Sequence, residues 1–579
     1  MLDPYRRRGG IMDRNCAEIV IECLAKAGVD HAFGIPSGKM MPLMKALSRQ
    51  NRVRFVGVRH EQAGAMMATA ATLGTGRLSC AFGELGPGGS NLVPGVANAF
   101  ADNVPMIAIT SGNATHLTGP DRGIMMDLDL VELYRPITKL SIRLTDGRRA
   151  PEVLRRAIRE ALSGRPGPVH VNIPADILAS SYPYDQRILS EAAFAPPPRL
   201  YPDPALIDAA ARCLSGAERP LVIAGGGTVQ SDASAEVLRV AEMLGAAATA
   251  TQMGIGSVPS DHPAFIGHGG IIGGAAVIEA LQQADAVLAV GCRFSSWLWG
   301  ADGPLVSPDA RLVQIDTDAG ALGRNTPVEV GIHADAKAAL AELATALDGH
   351  AARAATTGWR DALVRRHRTE IAEAETTEII DDLPHPARYA EVLNQMLPAD
   401  ALVTYDGGHT TFWHNDRLSA PAPRTRFHMP GLALLGCGLP YALGLKATQP
   451  HRPVICTTGD GSVGFTIQEL DTAVRYDLPV VVVVHNNAAW GVIRAGQQKS
   501  GFEFEADLSG TDYAAIARGF GCEGHLVSSE AEFRAALSKA LASEKPSLID
   551  CRTTFQGHPA MRYFGAAGAP RGADVALPY

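Results

Sequence analysis

Charge is what this sequence has least of. Asp, Glu, Lys and Arg make up 19% of 579 residues, where an ordinary globular chain carries roughly a quarter. A monomer of this length would need more charged surface, so the shortfall points to apolar surface buried between subunits. No apolar run approaches the roughly 18 residues of a membrane span. The tightest run, Val480 to Val484, has the length of a strand. None of the nine cysteines forms a CxxC pair, which argues against a zinc ribbon or a redox dithiol and fits a reducing cytoplasm. A basic excess is also missing. With a net charge of -8, the chain lacks the electrostatic footprint of a nucleic-acid binder. Arg6, Arg7 and Arg8 have no apolar stretch behind them, so they do not open a signal peptide. Met1 to Ile11 reads as a leader, with Met12 as an alternative start. An apolar fraction of 46% excludes disorder.

What is present is a recurring alternation of short apolar runs and Ala-rich helical segments. The length suggests three or four domains. In the first stretch the strand candidates are Arg54–Val58, Leu78–Phe82, Pro105–Thr110 and the run within 167–174. A Pro-rich linker follows at Ala195 to Pro198. The second stretch has Pro220–Ala224, Ala286–Val290 and Leu312–Ile315, then a polar helical segment from His350 to Ile380. The third has Ala401–Tyr405, Pro453–Thr457, Pro479–His485 and Pro546–Asp550. Strands alternating with helices imply βαβ units and parallel sheets. The expected fold is α/β with three domains, each a parallel sheet flanked by helices, at 12–185, 200–348 and 386–556, ending in a Gly/Pro-rich tail at 557–579. Ligands of such sheets sit at the carboxyl ends of the strands.

Thr457-Thr-Gly-Asp-Gly-Ser462 directly follows one strand candidate. Val463, Ile467, Leu470 and Val474 then space out one stripe of a helix, with Ser462 at its N-cap. The next strand ends in His485-Asn486-Asn487. Asp460 and Asn487 therefore close two neighbouring strands. A carboxylate and an amide oxygen together suit Mg²⁺ or Ca²⁺, and free N–H groups at Gly461 and Ser462 suit phosphate. A GDG alone is usually a surface turn, whereas GDG after one strand and Asn-Asn after the next reads as a metal–diphosphate clamp.

This pair of motifs resembles the thiamine-diphosphate enzymes. The resemblance implies Mg²⁺ held by Asp460, Asn487 and the Ala489 carbonyl, with Gly459, Gly461 and Ser462 beside the diphosphate. His60-Glu61-Gln62-Ala63-Gly64 is similar to the family's activating-glutamate segment, making Glu61 the carboxylate that engages the cofactor's pyrimidine; taken alone, it is a Glu favoured by a helix dipole. Gly431-Leu-Ala-Leu-Leu-Gly436 resembles the segment that bends the cofactor, with Leu435 as the wedge and the Ala433 carbonyl taking the 4′-amino group; buried helix packing fits the same pattern. Tyr405-Asp-Gly-Gly-His-Thr410 resembles the second diphosphate loop, with Gly408, His409 and Thr410 as contacts and His409 alternatively a helix cap.

The implied order is a pyrimidine-binding domain, a central Rossmann-like domain and a diphosphate-binding domain. It is that of the acetolactate synthase, pyruvate oxidase and benzaldehyde lyase branch, whose GPG loop Gly83-Glu-Leu-Gly-Pro-Gly-Gly-Ser-Asn91 resembles. The chain departs from acetolactate synthases where Trp297 falls at an arginine, Gly496 at a tryptophan, and Met125 and Met126 near a glutamine. Losing the arginine removes a bidentate carboxylate clamp, and the thioethers and indole make a softer, more apolar site. Lys39, Glu84 and Arg494 are further substrate candidates, each alternatively a solvated charge. Ala224-Gly-Gly-Gly227 is a weak nucleotide signal, and FAD or ADP in the central domain is not favoured.

The expectation is a cytoplasmic carboligase/lyase using thiamine diphosphate and Mg²⁺. It makes or breaks a C–C bond beside a carbonyl through an enamine. Alternatives are acetolactate synthase proper, a 2-keto-acid decarboxylase, a 2-hydroxyacyl-CoA lyase or a non-catalytic cofactor-binding subunit. The partners expected are small carbonyl substrates and further copies of the chain, as homodimer or homotetramer, because the resemblance brings Glu61 to the clamp of another subunit.

Overall fold

The computed structural model describes residues 11–118, 123–270, 273–300, 303–374 and 382–558. Most of the leader and nearly all of the C-terminal tail (559–579) lie outside the described residues. Ile11 does not belong to a leader. It opens a strand, Ile11–Asn15, that pairs antiparallel with Ser181–Asp185.

Three six-stranded parallel sheets carry the fold. The first contains β1 (His31–Gly34), β2 (Arg54–Gly57), β3 (Cys80–Gly83), β4 (Ile107–Gly112), β5 (Leu140–Arg143) and β6 (Val169–Pro174), in the order β2-β1-β3-β4-β6-β5. The second contains β7 (Pro220–Ala224), β8 (Ala247–Ala250), β9 (Phe265–His268), β10 (Ala286–Val290), β11 (Arg311–Asp316) and β12 (Val330–His333), in the doubly wound order β9-β8-β7-β10-β11-β12. The third contains β13 (Leu402–Tyr405), β14 (Arg426–Phe427), β15 (Val454–Gly459), β16 (Val481–Asn486), β17 (Glu523–Val527) and β18 (Ser547–Arg552). Its order, β14-β13-β15-β16-β18-β17, repeats the topology of the first sheet. The central strands β10 and β16 are buried along their whole length and apolar apart from His485 and Asn486 at the end of β16, as parallel sheets covered by helices on both faces require. In the first and third sheets the order reverses beside β1 and β13. The switch points therefore lie between β1 and β3 and between β13 and β15, where ligand crevices form.

The chain divides into two compact units that do not follow its linear order. One holds the first sheet together with Gly431–His451 and Thr466–Leu478. The other holds the second and third sheets with Arg199–Pro430, Arg452–Phe465 and the chain from Pro479 onward. Within the first unit, helix α1 (Glu61–Thr75) is almost wholly buried. It packs on helix α4 (Gly438–Thr448), where a methyl group on Gly444 would come 2.4 Å from the Met67 carbonyl. Only a glycine permits that approach. The first sheet also packs helix α2 (Pro87–Ala101) against it, and helix α3 (Gly408–Arg417) follows β13 in the third sheet.

The single helix expected after the GDG is broken. Asp460–Val463 is one short turn and Leu470–Arg475 another, joined by a 3-10 turn at Ile467–Glu469. Gly461 and Gly464 weaken helix propagation. Thr466 leaves helical geometry at φ -140° and donates its hydroxyl to the Gly436 carbonyl at 2.7 Å. The N-cap is Gly459 rather than Ser462. The polar segment expected at 350–380 is helical over Ala354–Ala374. No described helix is long and apolar enough to cross a membrane.

Candidate active site

The expected residues fall into two groups, one in each compact unit. In the first unit they collect at the carboxyl ends of β1, β2 and β3. Four backbone N–H groups must be satisfied in the turn from β2 into α1. Gly57 donates to the Tyr476 hydroxyl at 2.6 Å, and Val58 donates to the Gly34 carbonyl at 3.0 Å. Arg59 donates to Glu469 at 3.1 and 3.2 Å, and His60 donates to Glu469 at 3.1 Å. His60 then caps α1 through the Gln62 N–H. Glu61 follows as the first helical residue and is buried. Its Oε2 accepts from Asn91 Nδ2 at 3.0 Å. A Cβ on Gly88 would stand 3.0 Å from Glu61 Oε1 and 3.2 Å from Glu84 Cβ. Gly88 is therefore the spacer between two acidic side chains.

Glu84 leaves the end of β3 and accepts the Lys39 N–H at 2.8 Å. Gly86, at φ +59°, lies against the Met126 carbonyl, 2.4 Å from where its Cβ would be. Met126 itself is left-handed at φ +65° and half-buried. Lys39, Glu61, Glu84 and Met126 thus surround one strand edge. Ala433 and Leu435 are not in a buried helix. They lie in a partly exposed turn before α4, with Ala433 at φ +51°. The Gly431 N–H donates to Asp102 at 2.9 Å and anchors that turn.

In the second unit Asp460 is 4% exposed, which excludes the surface-turn reading of the GDG. Its Oδ1 accepts the Gly461 N–H at 2.9 Å, and its Oδ2 accepts the Ala489 N–H at 3.2 Å. Asn487 Oδ1 accepts the same Ala489 N–H at 3.2 Å. The three expected metal ligands therefore meet at one amide, between the paired strands β15 and β16. Burial pushes the Asp460 carboxyl up to about 6, with only backbone N–H groups to hold it down. A divalent cation would offset that cost, and carboxylate, amide and carbonyl oxygens are the donors Mg²⁺ takes. Among the described residues no cluster of three His, Cys, Asp or Glu offers a different kind of metal site.

The glycines around this point leave room rather than side chains. A Cβ on Gly407 would meet Ser462 Oγ at 2.8 Å, one on Gly459 would meet Thr410 Oγ1 at 3.2 Å, and one on Gly491 would meet His409 Cβ at 3.0 Å. Gly408, His409, Thr410, Gly459, Gly461, Ser462 and Asn487 are thus neighbours. His409 does not cap α3, because Gly407 does. Its ring nitrogen contacts the Gln556 carbonyl, and burial lowers its pKa to about 4, so it stays neutral.

Arg494, at the helix Gly491–Lys499, has partners of its own. It pairs with Asp507 at 3.2 Å and Glu503 at 3.8 Å and lies over the Phe555 ring. Trp297 donates its indole N–H to the Pro430 carbonyl at 3.2 Å. Gly225 and Gly227 pack against the backbone of Gly291.

Sequence reasoning missed the supporting residues. Tyr513 donates its hydroxyl to the Asp460 carbonyl at 2.9 Å. Asp550 accepts from Asn486 and from the Tyr513 N–H, both at 2.9 Å. Asn91 and Glu469 were missed as well. Asn91 sits inside the GPG segment and Glu469 directly before Leu470 of the expected helical stripe, but nothing local marks a residue that acts across the fold.

The chain matches three family models: thiamine pyrophosphate enzyme N-terminal TPP binding domain at 14–133, central domain at 207–343, and C-terminal TPP binding domain at 406–551. It is 32% identical over 546 residues to the probable acetolactate synthase large subunit of Methanocaldococcus jannaschii, covering 92% of this chain and 91% of that protein. It is 32% identical to probable acetolactate synthase 2, chloroplastic, of Oryza sativa subsp. japonica (96% and 85% covered). It is 29% identical to the acetolactate synthase large subunit of Haemophilus influenzae (91% and 92% covered). The chain therefore belongs to the thiamine pyrophosphate enzymes, in the branch of the acetolactate synthases and pyruvate oxidases, and takes thiamine diphosphate with Mg²⁺.

Proposed function

We propose that this enzyme is a carboligase/lyase that makes or breaks the C–C bond next to a carbonyl, acting on 2-keto acids, acyloins or aldehydes. The observation that carries the reading is the pair of constellations: buried Glu61 at a helix start, and Asp460, Asn487 and Ala489 gathered at one amide. Asp460, Asn487 and the Ala489 carbonyl hold Mg²⁺, and Gly408 to Thr410 with Gly459 to Ser462 face the diphosphate. Ala433 and Leu435 shape the cofactor's seat. Glu61 would hold the cofactor's pyrimidine ring through a carboxylate hydrogen bond. Asn91 fixes one of its oxygens, so the other is aimed. Bound thiamine diphosphate supplies the electron sink for charge left on a carbonyl carbon when its bond breaks. A subunit that only bound the cofactor would need the metal and diphosphate groups but not the activating Glu61.

Lys39, Glu84, Met126 and Trp297 are the proposed substrate-facing residues. Glu84, the acidic member of the group at β3, is placed to give or take a proton. Met126 and Trp297 favour an apolar acceptor over a second keto acid. A second reading, acetolactate synthase proper, is favoured by the names of the relatives. The chain is proposed to work as a homodimer or larger homo-oligomer, with Glu61 serving the clamp of another copy.

The test is a panel of keto acids, acyloins, aldehydes and 2-hydroxyacyl-CoAs with thiamine diphosphate and Mg²⁺, scoring both CO₂ and coupled product. Coupling of an aldehyde acceptor supports the proposal. Coupling of two pyruvates alone supports the second reading, CO₂ with no coupled product supports a decarboxylase, and no turnover of any substrate refutes catalysis.

A further inference from the structure

We propose that Glu469 is a positioning residue for Glu61, setting the start of its helix by accepting the backbone N–H groups of Arg59 and His60. The inference rests on the reading of Glu61 as the group that engages the cofactor. Glu469 is fully buried. A buried carboxylate is costly unless its oxygens are filled by donors. Here Oε1 takes both amides at 3.1 Å, while Oε2 takes Arg59 at 3.2 Å and the Thr472 hydroxyl at 2.6 Å. None of these donors is an ammonium or guanidinium group. The carboxylate is spent on the backbone of the two residues directly before Glu61.

A second observation points the same way. Tyr476, one turn beyond Thr472, accepts the Gly57 N–H at 2.6 Å at the other end of the same turn. Arg59 also reaches Asp471 with its guanidinium at 3.6 Å. Glu469, Asp471 and Tyr476 thus grip residues 57–60 from one short helix. Only the Val58 N–H is served from elsewhere, by Gly34. Charge at a helix N-terminus is favourable, but a single side chain that binds two successive amides does more than that. It fixes the direction in which α1, and with it Glu61, leaves the sheet. Asp460 and Glu469 lie nine residues apart in the chain, so the segment that leaves the metal clamp ends as the brace of the activating carboxylate.

The test uses the full-length holoenzyme. Glu469→Gln keeps the volume but sets an NH₂ group against backbone donors. Displacing catalytic groups by a fraction of an ångström costs on the order of tenfold. The variant is therefore expected to lose about tenfold or more in kcat, with KM within about twofold. In a Glu61→Gln background the same change should cost less than about twofold, because residues that act as a unit are not additive. Hydrogen exchange of the 57–62 amides should be faster in Glu469→Gln, with or without cofactor. Glu469→Asp, which keeps the charge but not the reach, should fall between wild type and Gln. Glu469→Gln kcat within twofold of wild type, losses that multiply with Glu61→Gln, or unchanged amide exchange would each overturn the proposal. A wild-type protein with no turnover refutes the catalytic reading instead, and amide exchange still decides whether Glu469 holds the turn.

Discussion

Gly88→Ala is the sharpest available perturbation of Glu61, because it adds one methyl group and no charge. The added Cβ would lie 3.0 Å from Glu61 Oε1, 3.2 Å from Glu84 Cβ and 3.3 Å from the Gly83 carbonyl carbon, where ordinary contact begins at 3.4 Å. The Gly83 atom is backbone at the end of β3 and yields least. The Glu61 carboxylate therefore moves by about 0.4 Å. If a displacement of 1 Å costs on the order of 100-fold, 0.4 Å costs about sixfold in kcat. The fold has a compensating gain. Gly88 lies in the first turn of α2, where Ala is favoured over Gly by up to about 1 kcal/mol. The expected result is a five- to tenfold fall in kcat with a Tm unchanged or raised, from steady-state assays and thermal melts on the same preparation. A kcat within twofold of wild type would refute the spacer argument. A fall in both quantities would show that the methyl group disrupts the sheet rather than the carboxylate.

Chelation with EDTA should abolish turnover and added Mg²⁺ restore it, while Asp460→Asn should raise the Mg²⁺ needed for half-activity by about tenfold or more; full activity in EDTA would rule out the clamp. Co-expressed Glu61→Gln and Asn487→Ala chains, each inactive alone, should recover about a quarter of wild-type activity if sites form between copies, since half the dimers are mixed and each mixed dimer has one intact site; no recovery would place each site within one chain. Burial pushes Glu469 up to about 7 from an ordinary 4.5. The folded chain therefore keeps a proton that the unfolded chain has lost between those values, and stability falls as pH rises through that window. The denaturation midpoint of wild type relative to Glu469→Gln should drop across it, by an equivalent of about 3 kcal/mol; a flat difference would show that its bonds to the backbone fully offset the loss of hydration.

Much of the scaffold was legible because parallel strands are short, continuous and apolar. Pro220–Ala224 and Ala286–Val290 were read residue for residue, and the runs before Glu61, Asp460 and Asn487 lie within one or two residues of the strands observed. The gathering of Asp460, Asn487 and Ala489 was legible because they lie at or just beyond strand ends, where position along the chain sets position in space. Leu140–Arg143 and Glu523–Val527 were not read, because edge strands mix polar residues into the run, and His31–Gly34, though interior, has only Ala32 and Phe33 between His and Gly. Ser462 was misplaced as a cap because cap preference is local, whereas the turn there answers to Thr466 reaching the Gly436 carbonyl. Glu469 escaped for the same reason. Its partners are 409 and 410 residues away, and no window along the sequence joins them.

The close crossing of α1 and α4 bears on how this chain can be made. The helix that begins with Glu61 is covered by a helix synthesised nearly four hundred residues later, and the turn before it is closed by Glu469 and Tyr476, later still. A nascent chain that ends after the first sheet would leave Met67 and Gly74 without their cover. The first sheet is therefore no independent folding module, despite being contiguous for most of its length. Its completion waits on the ribosome reaching the last third of the message, and in that interval the apolar face of α1 needs a chaperone or a provisional partner. A fragment ending near residue 198 would be expected to aggregate on expression, whereas the same fragment supplied with the 431–478 segment would have what it needs to fold.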